Sequence, residues 1–222
     1  MFDATLRPIV DAVLNRPGRQ LADWGITANQ VTIFGGVMGF AAFVSIIFDA
    51  LLIGLVFILI NRLADGLDGA VARVSGSSDF GGYLDIVIDF IFYSSIPFAF
   101  AINNPENSVA ACFLIFSFVG TAASFLAFAI VAAKRGISSE ARGKKTFYHL
   151  GGLTEGTETI ILLCMMTLMP SYFTILAWVF GSLCWITTAM RISDAKRMFT
   201  AENYETPITK PPRKKLQATG DK

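Results

Sequence analysis

The feature that most constrains this chain is a series of six long apolar runs. They occupy residues 31–48, 51–73, 84–102, 109–133, 153–169 and 172–190. Each run is close to the roughly 20 residues that a helix needs to cross a bilayer. The 222-residue chain is 54% hydrophobic and 16% charged, with a mean hydropathy of +0.57, and a soluble domain of this length carries more charge. The sequence therefore predicts an all-α integral membrane protein with six transmembrane helices.

The distribution of basic residues predicts how these helices are oriented. With six spans, the links at residue 49, at 103–108 and at 170–171 lie on the same side of the membrane, and none of them contains Lys or Arg. All 18 basic residues lie in the N-terminal segment, the loop after the fourth run, the tail or the opposite helix ends. The positive-inside rule places that opposite side in the cytoplasm. We therefore expect a multi-pass protein of the cell (inner) membrane with both termini cytoplasmic.

The segments that flank the six runs differ from them in character. In residues 1–30, apolar side chains recur at helical spacing and arginines flank them, with an interruption at Pro17-Gly18. This pattern predicts a cytoplasmic amphipathic helix lying on the inner leaflet, the alternative being a cap without lipid contact. Residues 31–192 form the six-helix domain. Residues 193–222 form a basic cytoplasmic tail, disordered at its end and attracted to anionic lipid.

Four aspartates lie at the ends of the second and third apolar runs. Asp65 and Asp68 are three residues apart, and Asp85 and Asp89 are four apart, so each pair shares one face of a helix. The link between the two helices is short, which brings the pairs opposite each other on the predicted cytoplasmic side. Facing carboxylates repel in a low dielectric. One or two hard divalent cations such as Mg²⁺, Mn²⁺ or Ca²⁺ remove that repulsion.

The aspartates also have a structural alternative, in which each caps a helix or pairs with Arg62 or Arg73. Two pairs at one-face spacing on consecutive helices favour the metal site over that alternative. Four glycines beside the aspartates leave room for a ligand, or for close helix packing in the membrane. They are Gly66, Gly69, Gly81 and Gly82.

The stretch "DGLDGAVAR…GGYLD…D" resembles the signature of the CDP-alcohol phosphotransferases, the CDP-alcohol phosphatidyltransferase class. That signature is Asp-x-x-Asp-Gly-x-x-Ala-Arg, a spacer, then Gly-x-x-x-Asp-x-x-x-Asp. The matching residues are Asp65, Asp68, Gly69, Ala72, Arg73, Gly81, Asp85 and Asp89. The spacer between Arg73 and Gly81 is one residue shorter than the family's usual eight. The stretch "GITANQVT" resembles the family's Pro-Asn-x-x-Thr entry to the first helix, with Ala28 in place of Pro.

The resemblance implies a phospholipid-synthesising transferase that moves a substituted phosphate from a CDP-linked lipid, CDP-diacylglycerol, to a small alcohol and releases CMP. It implies Mg²⁺ or Mn²⁺, one or two ions, held by Asp65, Asp68 and Asp85. Asp89 takes the proton of the attacking hydroxyl and also touches a metal. The implied nucleotide-binding residues are Asp68, Gly69, Ala72, Arg73, Gly81 and Gly82. Membrane lipids are expected partners, nucleic acid is not, and a homodimer is compatible with the sequence.

The acceptor alcohol stays open from the sequence. Basic residues of the loop after the fourth run could bind an acceptor phosphate, as in glycerol phosphate or inositol phosphate, although positive-inside topology explains them too. The candidates are Arg135, Arg142 and Lys145. Glu155 and Glu158 share one helix face and could receive the amine of serine, ethanolamine or choline, or pair with an arginine of the loop.

Two other functions are alternatives to the CDP-alcohol phosphatidyltransferase activity. "NRLADGLD" also resembles the Asn-x-x-x-Asp start of membrane prenyltransferases that use a metal-bound isoprenyl diphosphate, but those enzymes need more helices and a distant second acidic motif. A divalent-cation transporter needs acidic residues near the bilayer midplane, whereas here they cluster at one face of the membrane. Release of CMP from a CDP-linked lipid would separate the three hypotheses.

Overall fold

A computed structural model describes residues 3–135 and 152–200 of the chain, and these fold as α-helices joined by short links. The helices are α1 (Asp3–Asp23), α2 (Ala28–Ile47), α3 (Leu51–Ser75), α4 (Asp79–Asn103), α5 (Ser108–Lys134), α6 (Gly156–Leu168) and α7 (Phe173–Thr200). Helices α2 to α7 coincide with the six apolar runs. Helix α7 continues to Thr200, so the first residues of the segment assigned to the tail are helical, and 201–222 lie outside the described residues.

Helix α1 does not stop at Pro17-Gly18, where the sequence predicted an interruption. It continues to Asp23 because its inner face packs on α3. Leu14 is 8% exposed, and a Cβ added to Gly18 would lie 2.5 Å from the Ala70 Cβ, so only glycine allows this close approach. Val13, on the other side of α1, is 65% exposed. This two-faced character agrees with an amphipathic helix, whose contact with lipid stays a prediction.

Helices α2, α3 and α4 pack through small residues and one buried amide. A Cβ at Gly35 of α2 would lie 3.2 Å from the Ala64 Cβ of α3, and one at Gly39 would lie 2.8 Å from the Phe92 ring of α4. Asn61, which is 1% exposed, donates from Nδ2 to the Gly35 carbonyl at 2.8 Å. These contacts hold the backbones close together, as is usual for helices packed in a membrane.

The remaining helices close the bundle around an aromatic and aliphatic core. Phe100 of α4 stacks on Phe173 of α7 with 4.8 Å between ring centroids. Leu163 and Met166 of α6 are fully buried in the same cluster. Leu114 of α5 completes it. The core therefore packs the four helices α4, α5, α6 and α7 into one unit. The turn between α3 and α4 lies at one end of this unit.

Within residues 3–135 and 152–200, four helices are long and apolar enough to cross a membrane: α2, α4, α5 and α7, the last two together with the short turns that precede them. Helix α3 has the length, but it carries the charged residues Arg62, Asp65 and Asp68 from its middle onward. Helix α6 has 13 residues, shorter than the predicted run at 153–169. The described residues are thus those of an all-helical membrane protein. That the chain crosses the membrane six times remains a prediction.

Candidate functional site

A tight turn at residues 76–78 brings the ends of α3 and α4 together. Gly76 has a φ of +96°, a backbone conformation that favours glycine. Ser78 then caps α4, because its Oγ accepts the Gly81 N–H at 3.0 Å. This geometry places the signature residues of α3 opposite those of α4, as the sequence pattern predicted for neighbouring antiparallel helices.

Three of the four aspartates converge on one point. Asp65 of α3 and Asp85 and Asp89 of α4 each present a carboxylate oxygen, and these oxygens lie within 4.8 Å of one another. All three side chains are partly buried. Three converging carboxylates are a donor set that fits a hard divalent cation such as Mg²⁺ or Mn²⁺. We call Asp65, Asp85 and Asp89 the carboxylate cluster.

Arg62 lies against the carboxylate cluster from the α3 side. Its Nη2 is 2.8 Å from Oδ1 of Asp89, and its Nη1 is 3.8 Å from Oδ2 of Asp65. The ion pairing with Arg62 that the structural alternative predicts is therefore present, at short distance for Asp89 and at longer distance for Asp65. It does not displace the metal hypothesis, because one guanidinium offsets one of three facing carboxylates.

Asp68 is turned toward α2. Its Oδ2 accepts a 2.6 Å hydrogen bond from the Thr32 hydroxyl, and both side chains are 6% exposed. Asp68 and Asp85 together line a cavity of about 380 Å³. Asp85 belongs to both the cavity lining and the carboxylate cluster, so the cavity adjoins the cluster at this residue.

The cavity collects most of the residues that the resemblance assigned to the nucleotide. Its walls come from the start of α2, the end of α3, the 76–78 turn and the start of α4. Of the predicted set it contains Asp68, Gly69, Ala72, Gly81 and Gly82. The small side chains keep this space open: a Cβ at Gly82 would meet no atom within 4 Å, whereas one at Gly81 would lie 2.7 Å from Oδ1 of Asn29.

Arg73 lies outside the cavity, against α1. Its Nη2 lies 2.9 Å from Oδ1 of Asp11 and 3.3 Å from Oδ1 of Asn15, both on α1. Gly66 likewise faces α1, since a Cβ there would lie 2.5 Å from Cδ1 of Leu14. Two residues of the signature region therefore hold the N-terminal helix against α3 and do not line the cavity.

The predicted acceptor residues are only partly described. Arg142 and Lys145 lie outside the described residues. Arg135, at the end of α5, places its guanidinium 5.0 Å from the Phe199 ring centroid of α7. Glu155 and Glu158 form a reciprocal cap at the start of α6, in which Glu158 Oε2 accepts the Glu155 N–H at 3.2 Å. Among the described residues, neither Glu155 nor Glu158 belongs to the carboxylate cluster.

Sequence reasoning missed the partners of the aspartates. Thr32 lies within the "ANQVT" stretch that resembles the family's helix entry. The motif therefore points to this residue, but not to its hydrogen bond with Asp68. Asn61 and Tyr93 contact Arg62, with Asn61 Oδ1 accepting from Nε at 2.7 Å and the Tyr93 hydroxyl accepting from Nη1 at 3.1 Å. Neither spacing nor composition distinguishes these two side chains from ordinary membrane-helix residues.

Known proteins match this chain over most of its length. The family model for CDP-alcohol phosphatidyltransferases matches residues 25–192. The inner membrane protein YnjF of Escherichia coli is 47% identical over 193 residues, which cover 86% of this chain and 94% of that protein. The archaetidylinositol phosphate synthase of Pyrococcus horikoshii is 31% identical over 194 residues, which cover 86% of this chain and 95% of that protein.

Solved structures show the same fold. The phosphatidylinositol phosphate synthase of Mycobacterium tuberculosis with CDP-DAG bound has a TM-score of 0.61 at 22% identity, covering 83% of this chain and 94% of that one. The same enzyme with manganese and citrate has a TM-score of 0.59 at 22% identity, covering 86% and 91%. The apolar helices and the inner-membrane relative together identify a multi-pass inner-membrane protein. The chain belongs to the CDP-alcohol phosphatidyltransferase family, whose members are divalent-metal-dependent transferases of phospholipid synthesis.

Proposed function

We propose that this protein transfers a phosphatidyl group from CDP-diacylglycerol to a small alcohol and releases CMP. The observation that carries the proposal is the position of the carboxylate cluster beside a cavity lined by small residues. The cavity's volume of about 380 Å³ lies within the roughly 300–1,000 Å³ of small-molecule sites. A structural neighbour with CDP-DAG bound supports the choice of donor.

The cytidine diphosphate part of the donor is assigned to the cavity. Gly69, Ala72 and Gly82 leave the walls without bulky side chains, which allows the backbone to approach a nucleotide closely. Asp68 and Asp85 stand where the cavity meets the carboxylate cluster. With the cytidine in the cavity, the diphosphate would lie next to the carboxylates and the acyl chains would stay in the bilayer.

Asp65, Asp85 and Asp89, with Asp68 nearby, are assigned as the residues that would hold Mg²⁺ or Mn²⁺. A bound divalent cation supplies charge neutralisation for the diphosphate and for the leaving phosphate. The manganese complex of a structural neighbour supports this assignment without choosing between the two metals. The protein's own contribution is to hold the carboxylates close together on α3 and α4, both of which pack against α2.

Asp89 is assigned as the general base. Its carboxylate takes the proton of the acceptor hydroxyl as the acceptor oxygen bonds to the phosphorus that carries diacylglycerol. The bond from that phosphorus to the bridging oxygen breaks, and CMP leaves with the electron pair. The products are the new phosphodiester lipid and CMP, and the proton passes from Asp89 to solvent.

The acceptor is the least determined part of the reaction. The names of one relative and of one structural neighbour both describe synthases of inositol phosphate lipids. We therefore place inositol phosphate first among the acceptors to be tested, ahead of glycerol phosphate, serine, ethanolamine and choline. The active site and both termini are assigned to the cytoplasm, where CDP-linked lipid headgroups and polar acceptors meet.

The test is CMP release by purified protein from CDP-diacylglycerol, measured with each acceptor in the presence of Mg²⁺ or Mn²⁺. We expect release that depends on one acceptor class, and its loss in Asp85→Asn. If no acceptor on the panel supports release, the proposal is wrong. Release of diphosphate from an isoprenyl diphosphate would favour a prenyltransferase, and metal uptake into vesicles would favour a transporter; the family match favours neither.

A further inference from the structure

Arg62 is held in one orientation by a chain of hydrogen bonds. Its Nε donates to Oδ1 of Asn61 at 2.7 Å, and Asn61 is itself anchored through Nδ2 to the Gly35 carbonyl at 2.8 Å. Its Nη1 donates to the Tyr93 hydroxyl at 3.1 Å. Its Nη2 donates to Oδ1 of Asp89 at 2.8 Å. Three helices therefore fix the guanidinium, which is aimed at one carboxylate.

Two aromatic rings cover the guanidinium. Its Cζ lies 4.5 Å from the centroid of the Phe92 ring and 5.2 Å from that of the Tyr93 ring. The Arg62 side chain is 9% exposed, whereas Asp89 is 26% exposed. A cation covered in this way cannot follow Asp89 if that carboxylate moves, so the ion pair constrains Asp89 and not the reverse.

The Arg62 guanidinium lies closer to one member of the carboxylate cluster than to another. It lies at hydrogen-bond distance from Asp89 at 2.8 Å, but it is 3.8 Å from Asp65. Among the described residues, Oδ1 of Asp89 accepts the short hydrogen bond from Arg62, whereas Oδ2 accepts a long one, 3.5 Å from the Tyr93 hydroxyl. The two oxygens of Asp89 differ in their availability to a third group.

We propose, on the basis of the function assigned above, that Arg62 is a positioning residue for Asp89. It holds Oδ1 and so directs Oδ2 to the proton of the acceptor hydroxyl. In that step the acceptor O–H bond breaks and an Oδ2–H bond forms, while Arg62 stays protonated throughout. Arg62 also supplies one fixed positive charge, which offsets one of the negative charges of the carboxylate cluster.

The experiment compares wild-type protein with Arg62→Ala, Arg62→Lys and, as a matched loss of one exposed positive charge, Arg197→Ala. Each is assayed for kcat and for KM toward CDP-diacylglycerol, with the acceptor that supports wild-type turnover. Mn²⁺ binding is measured separately by electron paramagnetic resonance, without substrate. We expect Arg62→Ala to lower kcat by about 10²-fold, the scale on which a general base acts. Arg62→Lys should lose about 10-fold, because an ammonium cannot reproduce the guanidinium geometry.

Three readouts separate positioning from a merely structural role. Guanidinium ion in the buffer should restore part of the kcat of Arg62→Ala and none of that of Asp89→Asn. Mn²⁺ affinity should stay equal or increase in Arg62→Ala, since removing a cation beside an anionic site favours metal binding, whereas a collapsed site would bind Mn²⁺ more weakly. In an Asp89→Asn background, Arg62→Lys should cost little further rate.

Opposite results would overturn the inference. It is wrong if Arg62→Ala keeps the wild-type kcat, if its Mn²⁺ affinity falls together with its rate, or if Arg62→Lys costs as much in the Asp89→Asn background as alone. Arg197→Ala should match the wild type, and a loss there equal to that of Arg62→Ala would also contradict it. A wild-type protein that releases no CMP with any acceptor would refute the proposed function itself, which is a distinguishable result.

Discussion

The Thr32 hydroxyl of α2 donates a 2.6 Å hydrogen bond to Oδ2 of Asp68 on α3, and both residues are 6% exposed. This contact turns Asp68 away from the three clustered carboxylates and toward the cavity. Helix α2 contains none of the signature aspartates, but through Thr32 it orients one of them. The capping box of Thr27 and Gln30 fixes where α2 begins. The start of the helix in turn sets the position of Thr32 along α2, beside Asp68.

Thr32→Val keeps the shape of the side chain and removes its hydroxyl. Asp68 then loses a buried donor, a hydrogen bond to a charged group worth about 1.5–3 kcal/mol. We expect KM for CDP-diacylglycerol to rise by about 10-fold or more, because Asp68 is free to move at the cavity wall. Thr32→Ser retains the donor and should stay close to wild type in a steady-state CMP-release assay. Equal effects of the two substitutions would contradict this role of the hydroxyl.

Removal of divalent metal should abolish turnover. An excess of chelator is expected to stop CMP release, and added Mg²⁺ or Mn²⁺ should restore it. Asp65→Asn and Asp85→Asn should each abolish detectable turnover, because a neutral amide is a poor ligand for a hard cation. Mn²⁺ binding followed by electron paramagnetic resonance should weaken in both variants. Full activity in chelator would mean that the carboxylate cluster does not hold a metal.

Asp89→Asn should separate chemistry from binding. The amide cannot take the proton of the acceptor hydroxyl, so we expect the single-turnover rate to fall by about 10²-fold or more. Affinity for CDP-diacylglycerol should fall less, since Asp65, Asp68 and Asp85 remain. If affinity collapses while the rate of the bound complex is unchanged, Asp89 is mainly a metal ligand and the base must be sought elsewhere.

Gly81→Ala and Gly82→Ala form a matched pair at the start of α4. A Cβ at Gly82 meets no atom within 4 Å and points into open cavity. We expect Gly82→Ala to keep or slightly raise the melting temperature, as alanine favours a helix by about 0.5–1 kcal/mol, and to raise KM for the donor several-fold. Gly81→Ala should lower the melting temperature, because its Cβ would lie 2.7 Å from Asn29 Oδ1. An unchanged donor KM in Gly82→Ala would place the nucleotide outside this cavity.

Membrane orientation can be tested with single cysteines in a chain whose Cys112, Cys164 and Cys184 are replaced by serine. Glu106→Cys lies in the exposed turn between α4 and α5, and an impermeant reagent should label it from outside intact cells. Lys196→Cys, near the end of α7, should react only after the membrane is opened. The reverse pattern would put the carboxylate cluster on the wrong side for a cytoplasmic donor.

Helix positions and the four aspartates could be predicted from the sequence, because hydropathy and one-face spacing are local properties. Helical spacing puts Asp65 and Asp68 about 60° apart, which is enough to read them as one pair. In the structure that angle separates them, with Asp65 in the carboxylate cluster and Asp68 hydrogen-bonded to Thr32. Which neighbour each side chain meets depends on how α2 and α4 pack against α3, and spacing within one helix does not contain that information.

The arginines show the same limit. Arg62 and Arg73 both flank the aspartates in the sequence and were equal candidates for pairing with them. They differ because Arg62 lies on the face of α3 toward α4, whereas Arg73 lies toward α1 and pairs with Asp11. The continuation of α1 through Pro17 was unpredictable for a related reason. Its support comes from Ala70, a residue far along the chain that only the folded protein brings to Gly18.

The seating of α1 on α3 has a consequence for biogenesis. Leu14 and Gly18 precede α2 in the chain, but the surface that receives them, at Gly66 and Ala70 of α3, is synthesised only after α2. Until then the buried face of α1 has no protein partner, and the lipid headgroup region is where its apolar side chains can be covered. Docking of α1 therefore has to wait for α3 to be synthesised, and the Arg73–Asp11 ion pair can form only when both helices are present.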